Sequence, residues 1–319
     1  MPRNSALALY LAKIESVSGT DAVPTNVANA IALASPISPD YTLAFAPQRG
    51  HPAKGGTINP DKPLAPAGKV YSWAKDVWLR PRGAAVSAGS PIEADPLLRS
   101  AGFDASYDPT PGAELVNYQL TGFSGFPTLT EYYYEDGLRY IGTGAAGDVS
   151  LTFDVGGPAI LSHTSEGRLS SVSDVALPVG TFTPVEPPIA TDMALFSVDS
   201  YAAGVARKFS LSLGNQRKRD DGVKAPGGVS SFSIRSRTPR WSVVLEEPLI
   251  AAKDFRSRME AGVDIAIDWQ LGAALYNKIV FQSLTARIEK ATPSNDGGTA
   301  LLTLEGGLYG TSPVLLQFK

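Results

Sequence analysis

The chain has no cysteine and only two histidines, His51 and His163, among its 319 residues. The absence of cysteine excludes disulfides, thiolate metal sites and cysteine nucleophiles. The two histidines are far apart in sequence, and no HExxH or paired-histidine spacing occurs, so a metal site has little support. The sequence therefore gives no reason to expect a metal or another cofactor.

Charge and long apolar runs are also scarce. Charged residues make up 18% of the chain and the formal net charge is −3, without the basic excess typical of a nucleic-acid-binding protein. No apolar run approaches the roughly 18 residues that a membrane span requires. Lys13 and Glu15 interrupt the N-terminal apolar stretch, so we expect no signal peptide and no membrane segment.

Turn-forming residues and alternating patterns are abundant instead. The chain contains 31 glycines and 25 prolines, and many of its segments alternate apolar and polar residues with period 2, as half-buried strands do. This combination predicts a mainly β fold of many short strands joined by turns. Residues 5–16 are compatible with a short helix or with a strand.

The clearest unit runs from Trp241 to Trp269 and has a strand–helix–strand pattern. Its first strand places apolar residues on one face, and helical spacing follows over Leu249–Ala261. Gly262 is expected to end that helix, because glycine adopts the left-handed conformation easily. The alternation then resumes. The residues expected in the core of the sheet are Trp241, Val243, Leu245, Ile265 and Ile267.

A similar unit occurs earlier, with a strand over Val77–Val86 and a helix over Ile92–Ala101 that Gly102 ends. Such units are common, so chance similarity is the alternative to a repeat. The proline-rich residues 176–191 are the best linker candidate. We therefore predict two tandem β domains, residues 1–184 and 185–319.

Residues 35–72 are rich in proline and glycine and locally basic. A loop of this length in a compact domain is functional or disordered. We interpret it as an arm that contacts a neighbouring subunit, with a mobile surface loop as the alternative. The suspected interface residues are Phe45, Arg49, His51, Lys54, Lys62 and Tyr71. Deleting residues 44–70 is then expected to leave folded subunits that cannot polymerise.

The first half also contains a predicted hairpin. Leu129–Tyr134 and Leu138–Ile141 flank Asp136–Gly137, a pair that favours a type I′ turn. The glycines of Gly142–Gly147 predict a bend, and Val149–Val155 predicts another half-buried strand.

Three consecutive tyrosines, Tyr132–Tyr134, have two interpretations. They could form a sugar-binding platform, but such a run more often places one ring in the core and the others at a rim or interface.

Catalytic motifs are weak throughout the chain. Residues 142–147 match G-x-G-x-x-G, but no helix is predicted to follow that could hold a pyrophosphate. The carboxylate pairs Asp264/Asp268 and Glu246/Glu247 could serve glycosidic chemistry, although solvated strand faces explain them better. The same applies to Arg235, Arg237 and Arg240 as contacts for acidic groups. We expect a protein that acts through its surfaces and is not an enzyme.

Several stretches resemble the tail tube proteins of long-tailed bacteriophages, in their larger two-part form. The similar stretches are Leu9–Ile31, Leu97–Phe103, Tyr132–Ala159, Ser210–Gln216 and Arg237–Glu247. Each is weak alone, and their order and spacing carry the resemblance. Residues 35–72 have no clear counterpart in the family.

The resemblance implies domains with a β-sandwich or barrel architecture and short flanking helices. It also implies a structural subunit of the virion, assembled in the host bacterial cytoplasm. Such subunits form rings that stack into the hollow tube through which double-stranded DNA leaves. It implies contacts with the chain itself, the tape measure, the tail terminator and the baseplate. Three chains per ring, with pseudo-sixfold symmetry, are favoured over six. A lumen lined by small, polar or acidic residues is expected, because basic residues would bind the DNA.

Two other interpretations stay open. One is a carbohydrate- or receptor-binding β-sandwich module that uses Tyr132–Tyr134. The other is a different tail component, such as a baseplate ring or tail terminator.

Overall fold

The computed structural model describes residues 8–45, 66–120, 122, 125–190, 193–202, 206–222, 224–225 and 228–319. Within these residues the chain forms eighteen strands and two short helices, which confirms the mainly β fold. The elements up to residue 174 are β1 (Ala8–Ile14), β2 (Ala30–Ile31), β3 (Tyr41–Phe45), β4 (Pro66–Trp78), α1 (Asp95–Ser100), β5 (Phe103–Asp108), β6 (Leu115–Leu120), β7 (Leu129–Glu135), β8 (Leu138–Asp154) and β9 (Ile160–Asp174).

The remaining elements follow after residue 192. They are β10 (Met193–Val198), β11 (Ala206–Ser212), β12 (Gln216–Asp221), β13 (Val229–Ser236), β14 (Arg240–Glu246), α2 (Phe255–Ala261), β15 (Ile265–Leu271), β16 (Ile279–Asp296), β17 (Thr299–Leu308) and β18 (Leu315–Phe318). Sixteen strands belong to one branched antiparallel sheet, and β12 and β13 form a separate hairpin.

The two halves of the chain repeat one pairing scheme. Strands β1, β7, β8, β9 and β4 are hydrogen-bonded in that order, and β10, β15, β16, β17 and β14 follow the same order. In both halves the helix follows the last-named strand, β4 or β14, along the chain. The similarity between the two strand–helix units is thus part of a larger repeat of five strands and one helix in each half.

The halves are joined by strand pairing as well as by the chain. β11 lies between β8 of the first half and β14 of the second, and β18 pairs with β6. The predicted boundary near residue 185 falls between β9 and β10. One sheet and one hydrophobic core therefore extend across it.

The branches create two layers. Seven strands, in the order β4-β9-β8-β11-β14-β17-β16, form what we call the long sheet. The N-terminal part of β16 leaves it to pair with β15 and β18, and the N-terminal part of β8 pairs with β7. These strands form a second layer over one face of the long sheet.

Aromatic side chains fill the space between the layers. The rings of Phe153 and Phe209, on the long sheet, stack with centroids 5.6 Å apart. Trp269 and Phe281, on the second layer, stack at 5.4 Å, and Trp269 lies 5.1 Å from Phe153. Both halves contribute to this cluster, so neither half buries its apolar face without the other.

Several local predictions are confirmed. Asp136 and Gly137 have positive φ values of 32° and 88°, as a type I′ turn requires. Gly262 ends α2 in the left-handed conformation, and the side chain of Asp254 accepts a hydrogen bond from the Ser257 N–H at the other end of the helix. Residues 8–14, for which helix and strand were both open, form β1.

Other boundaries were predicted wrongly. The first-half strand was expected to begin at Val77, but it runs from Pro66 and ends at Trp78. Helix α1, expected from Ile92, starts only at Asp95. Helix α2 begins at Phe255, which leaves Ile250 66% exposed in the preceding turn instead of on a packed helix face. Part of the expected loop 35–72 is the β3–β4 hairpin.

The glycine-rich bend is also corrected. β8 runs without a turn from Leu138 to Asp154, and two register shifts take the place of the bend. Gly144 adopts φ +64° at this irregularity, and its N–H donates to the Glu15 carboxylate at 2.8 Å. A bulge therefore absorbs the glycines that the sequence suggested would reverse the chain.

Candidate assembly surface

The long sheet has one packed face and one face that the second layer does not cover. Along β9, Leu161, His163 and Ser165 are buried, whereas Ser162 and Thr164 between them are only partly buried. The same alternation continues through β8, β11 and β14. We call the uncovered side the open face.

Hydroxyl side chains form a band across the middle of the open face. Cross-strand pairs connect them from one strand to the next: Ser162–Ser150, Ser150–Ser212, Thr152–Ser210 and Ser210–Ser242. Directly opposite residues in a sheet have neighbouring side chains. The band is therefore a continuous strip of small, neutral, polar groups.

The basic side chains along this strip have acidic partners. Lys208 lies 3.3 Å from Asp154, and Lys290 lies 3.3 Å from Glu305. Arg240 donates to the Glu289 carboxylate. Such exposed pairs add little stability, but each offsets a positive charge that could otherwise hold a phosphate.

The β12–β13 hairpin covers one end of the open face. Phe232 and Ile234 pack against Ala146 of β8. Arg217 of the hairpin lies 2.9 Å from Glu166 and also donates to the Thr164 carbonyl. The hydroxyl band remains uncovered beside it.

The long sheet also ends in two incompletely paired edges. From Lys290 to Asp296, β16 pairs with β17 on one side, and among the described residues no strand pairs with its other side. At the opposite end, no described strand pairs with the outer side of β4 over Ser72–Trp78. The described backbone contacts there are a bridge between Val77 and Leu33 and a hydrogen bond from the Ala34 N–H to the Asp76 carbonyl. Unpaired edges are sites at which another chain can add.

Beneath the sheet lies a buried charge cluster that the sequence analysis missed. Lys75 of β4 and Glu131 of β7 form an ion pair with both side chains 0% exposed. The hydroxyls of Tyr10 and Tyr71 donate to the Glu131 carboxylate at 2.5 and 2.6 Å. Lys75 also donates to the Ser165 hydroxyl at 2.8 Å.

This cluster links the two layers. Burial alone would raise the pKa of Glu131, but Lys75 and the tyrosine hydroxyls outweigh it, so the pKa is lowered and the carboxylate stays charged. Burial lowers the pKa of Lys75, and Glu131 opposes part of that shift. The donors to Glu131 are Tyr10, Tyr71 and Lys75 of the same chain, so the cluster stabilises the contact between the two layers. The sequence did contain a signal for this pair. Lys75 alternates with the inward-facing Trp73 and Val77 in β4, and Glu131 alternates with the inward-facing Leu129 and Tyr133 in β7.

His163 is buried beside this cluster. Its Nε2 lies 3.1 Å from the Ser100 hydroxyl of α1. Burial, reinforced by Lys75 and Arg217, lowers its pKa well below the ordinary value, so the imidazole is neutral. His51, the other histidine, lies outside the described residues.

The five predicted core residues are all buried; their exposed fractions are 2% or less for Trp241, Val243, Leu245, Ile265 and Ile267. Of the suspected interface residues, only two are described by the structure. Arg49, His51, Lys54 and Lys62 lie outside the described residues, and Phe45 ends β3 opposite Pro66. Tyr71 is corrected: it is 3% exposed and hydrogen-bonded inside the chain, so it offers no surface to a neighbour.

The three tyrosines are buried as well. Tyr133 belongs to the main core, and Tyr132 and Tyr134 pack in a smaller cluster with Leu9 and Leu11. Tyr132, Tyr133 and Tyr134 are 5%, 0% and 6% exposed, so they form no surface on which a sugar could stack.

Most of the carboxylates and arginines considered for chemistry have partners on the same chain. Asp264 accepts a hydrogen bond from Arg287 at 2.6 Å, and Glu247 accepts one from Arg256 at 2.5 Å. Arg235 pairs with Asp220 at 2.6 Å. Arg237 lies over the Phe126 ring, and burial lowers its pKa to about 10. Asp268 is partly buried, which raises its pKa.

The G-x-G-x-x-G match lies within β8 and has no phosphate-binding geometry. A Cβ at Gly142 would meet the Tyr71 ring at 2.4 Å, and one at Gly147 would meet His163 at 2.2 Å. These glycines allow close packing of side chains.

Within the residues that the structure describes, no group of three or more histidine, cysteine, aspartate or glutamate side chains could hold a metal ion. Neither described helix is long and apolar enough to cross a membrane.

No family model matches the sequence. No curated protein matches it either.

Proposed function

We propose that this protein is a tail tube subunit of a long-tailed bacteriophage, which assembles into rings that stack into a conduit for DNA. The observation that carries the proposal is the long sheet. It crosses both repeats without interruption, is packed on one face, and ends in edges that have room for further strands.

Ring closure gives this architecture a physical reason. A sheet with two unsatisfied edges can extend from one copy to the next, and a closed ring of copies removes every edge. The open face would then line the lumen, and the second layer with its helices would lie outside. Because each chain carries two repeats, three chains would supply six equivalent units around the ring.

The chemistry of the open face suits a channel for DNA. DNA binding requires unneutralised lysines and arginines, because affinity comes mainly from phosphate contacts and counterion release. The hydroxyl band is uncharged, and Lys208, Arg240 and Lys290 beside it are each paired with a carboxylate. Such a lining would let a polyanion pass without holding it.

The competing sugar-binding module loses its main support, because the tyrosines that would stack on a sugar are buried. A different tail component is the remaining alternative, since ring-forming proteins share the requirement for complementary edges.

Electron microscopy of the purified protein over a range of concentrations tests the proposal. We expect hollow filaments with a regular axial repeat, and their rotational symmetry would distinguish three chains from six. Separate rings that never stack would favour a baseplate or terminator component. Single particles at every concentration, including after addition of tail initiation proteins, would overturn the proposal.

A further inference from the structure

The strand pairing that joins the two repeats inside one chain serves as a template for a contact between two chains. β11 of the second repeat docks on the last five residues of β8, with Lys208 opposite Asp154 and Ser212 opposite Ser150. In the repeat, β16 corresponds to β8. Both strands end in aspartate, at Asp154 and Asp296, immediately before the turn into the next strand.

The cross-strand pairs define the correspondence residue by residue. Ser150 lies opposite Ser162, which lies opposite Asp76 of β4. Thr292 lies opposite Thr303, which lies opposite Val244 of β14. Thr292 therefore occupies the position of Ser150, and Ser294 that of Thr152. The stretch on which β11 docks in the first repeat is the stretch that lacks an outer partner in the second.

The complementary edge is found at the other end of the long sheet. Ala206 of β11 lies opposite Leu245 of β14, and Leu33 lies opposite Val77, the corresponding residue of β4. Residues 33–40 thus occupy beside β4 the place that β11 occupies beside β14. Ile37 of this segment is 3% exposed, and its carbonyl accepts a hydrogen bond from the Tyr133 hydroxyl.

One difference separates the two segments. β11 is a strand held between β14 and β8. Residues 33–40 form no strand. They contact β4 through one bridge at Leu33, one backbone hydrogen bond from Ala34, and side-chain hydrogen bonds at Asp76 and Trp73. A strand supported on both sides is more regular than one supported on a single side, because both rows of its backbone groups are hydrogen-bonded.

We propose that the Lys290–Asp296 edge of β16 docks on residues 33–40 of a second copy of this chain, as β8 docks on β11 within the chain. The inference rests on the proposed ring and specifies its lateral contact. The contact joins two different surfaces, so it propagates head to tail and closes when the rotation permits.

Prolines at both edges limit what else can bind there. Pro36, Pro39 and Pro293 have no N–H to donate, so an arbitrary strand cannot form a full ladder with either edge. Fewer backbone hydrogen bonds are expected than between β8 and β11. The fit between side chains of the β16 edge and those of residues 33–40 would then favour a second copy of this chain over an unrelated strand.

The absence of cysteine from the sequence permits a clean test. Ser294→Cys on the β16 edge and Ser38→Cys on the facing segment alter serines that are exposed in the single chain. Each folded variant is labelled with a maleimide-linked polyethylene glycol, which blocks one edge without affecting folding. Ser106→Cys on β5, also exposed, is the labelled control.

Analytical ultracentrifugation then reports the mass of the particles. We expect each blocked variant to remain a monomer alone and an equimolar mixture of the two to reach twice that mass and stop, while the control assembles like the unmodified protein.

The outcomes separate this inference from the proposed function. If the unmodified protein forms tubes but both blocked variants do so equally well, the edge assignment is wrong and the tube proposal stands. If the mixture dimerises but the unmodified protein never stacks, the edge contact stands and the tube proposal fails. Monomers in the unmodified protein at every concentration would overturn the edge contact.

Discussion

The buried pair of Lys75 and Glu131 gives the most demanding test of the structure. Both side chains are fully buried, and two tyrosine hydroxyls complete the coordination of the carboxylate. Removing one member of such a pair leaves a charge without compensation, which typically costs about 3–5 kcal/mol of the free energy of unfolding. We expect a loss of this size from Glu131→Gln and from Lys75→Met separately.

The double variant should be less unstable than the two losses predict together. With both charges gone, Tyr10 and Tyr71 can still donate to the amide oxygen at position 131, and no isolated charge remains. We expect the double variant to recover at least about 2 kcal/mol relative to additivity, within the range of coupling energies between contacting residues.

Denaturant titration followed by tryptophan fluorescence measures these losses, because the ring of Trp73 lies 4.1 Å from that of Tyr71 beside the cluster. The exposed pair Lys290–Glu305 supplies the control, and Glu305→Gln should change the free energy of unfolding by no more than about 0.5 kcal/mol. A loss below about 1 kcal/mol for Glu131→Gln, or an additive double variant, would refute the assignment of a buried ion pair.

Three further predictions follow from local geometry. Gly306→Ala should destabilise the fold by about 3 kcal/mol or more, because the new Cβ would meet the Arg287 carbonyl at 1.7 Å, whereas Gly89→Ala, which meets nothing within 4 Å, should be close to neutral in thermal unfolding. Gly262→Ala should cost about 1 kcal/mol in the same assay, since its Cβ enters open space and only the positive φ of 61° opposes it. Because burial lowers the pKa of His163, below about pH 6.5 the unfolded chain binds a proton that the folded chain does not bind. The free energy of unfolding should therefore decrease as the pH is lowered, by up to about 1.4 kcal/mol per pH unit. His163→Gln should flatten that part of the pH profile, and an unchanged slope would contradict the buried neutral imidazole.

The sequence determined much of the local structure of this protein. Period-2 alternation predicted the strands around Trp241 and Trp269, because a half-buried strand must place every second side chain in the core. Asp136–Gly137 and Gly262 predicted a turn and a helix end, because positive φ angles favour such residues. Nothing in the sequence indicated which strands would display the hydroxyl band.

Tertiary structure alone decided how the strands meet. The pairing of Asn117 with Gln317 joins residues 200 positions apart, and no local pattern encodes such a partner. Only the folded chain shows that β8 and β16 each serve both layers, that Lys75 reaches Glu131, and that one copy of the repeated edge is filled while the other is open. Local propensities act over a few residues, whereas strand order, buried charge pairs and free edges depend on which distant segments give the lowest free energy when packed together.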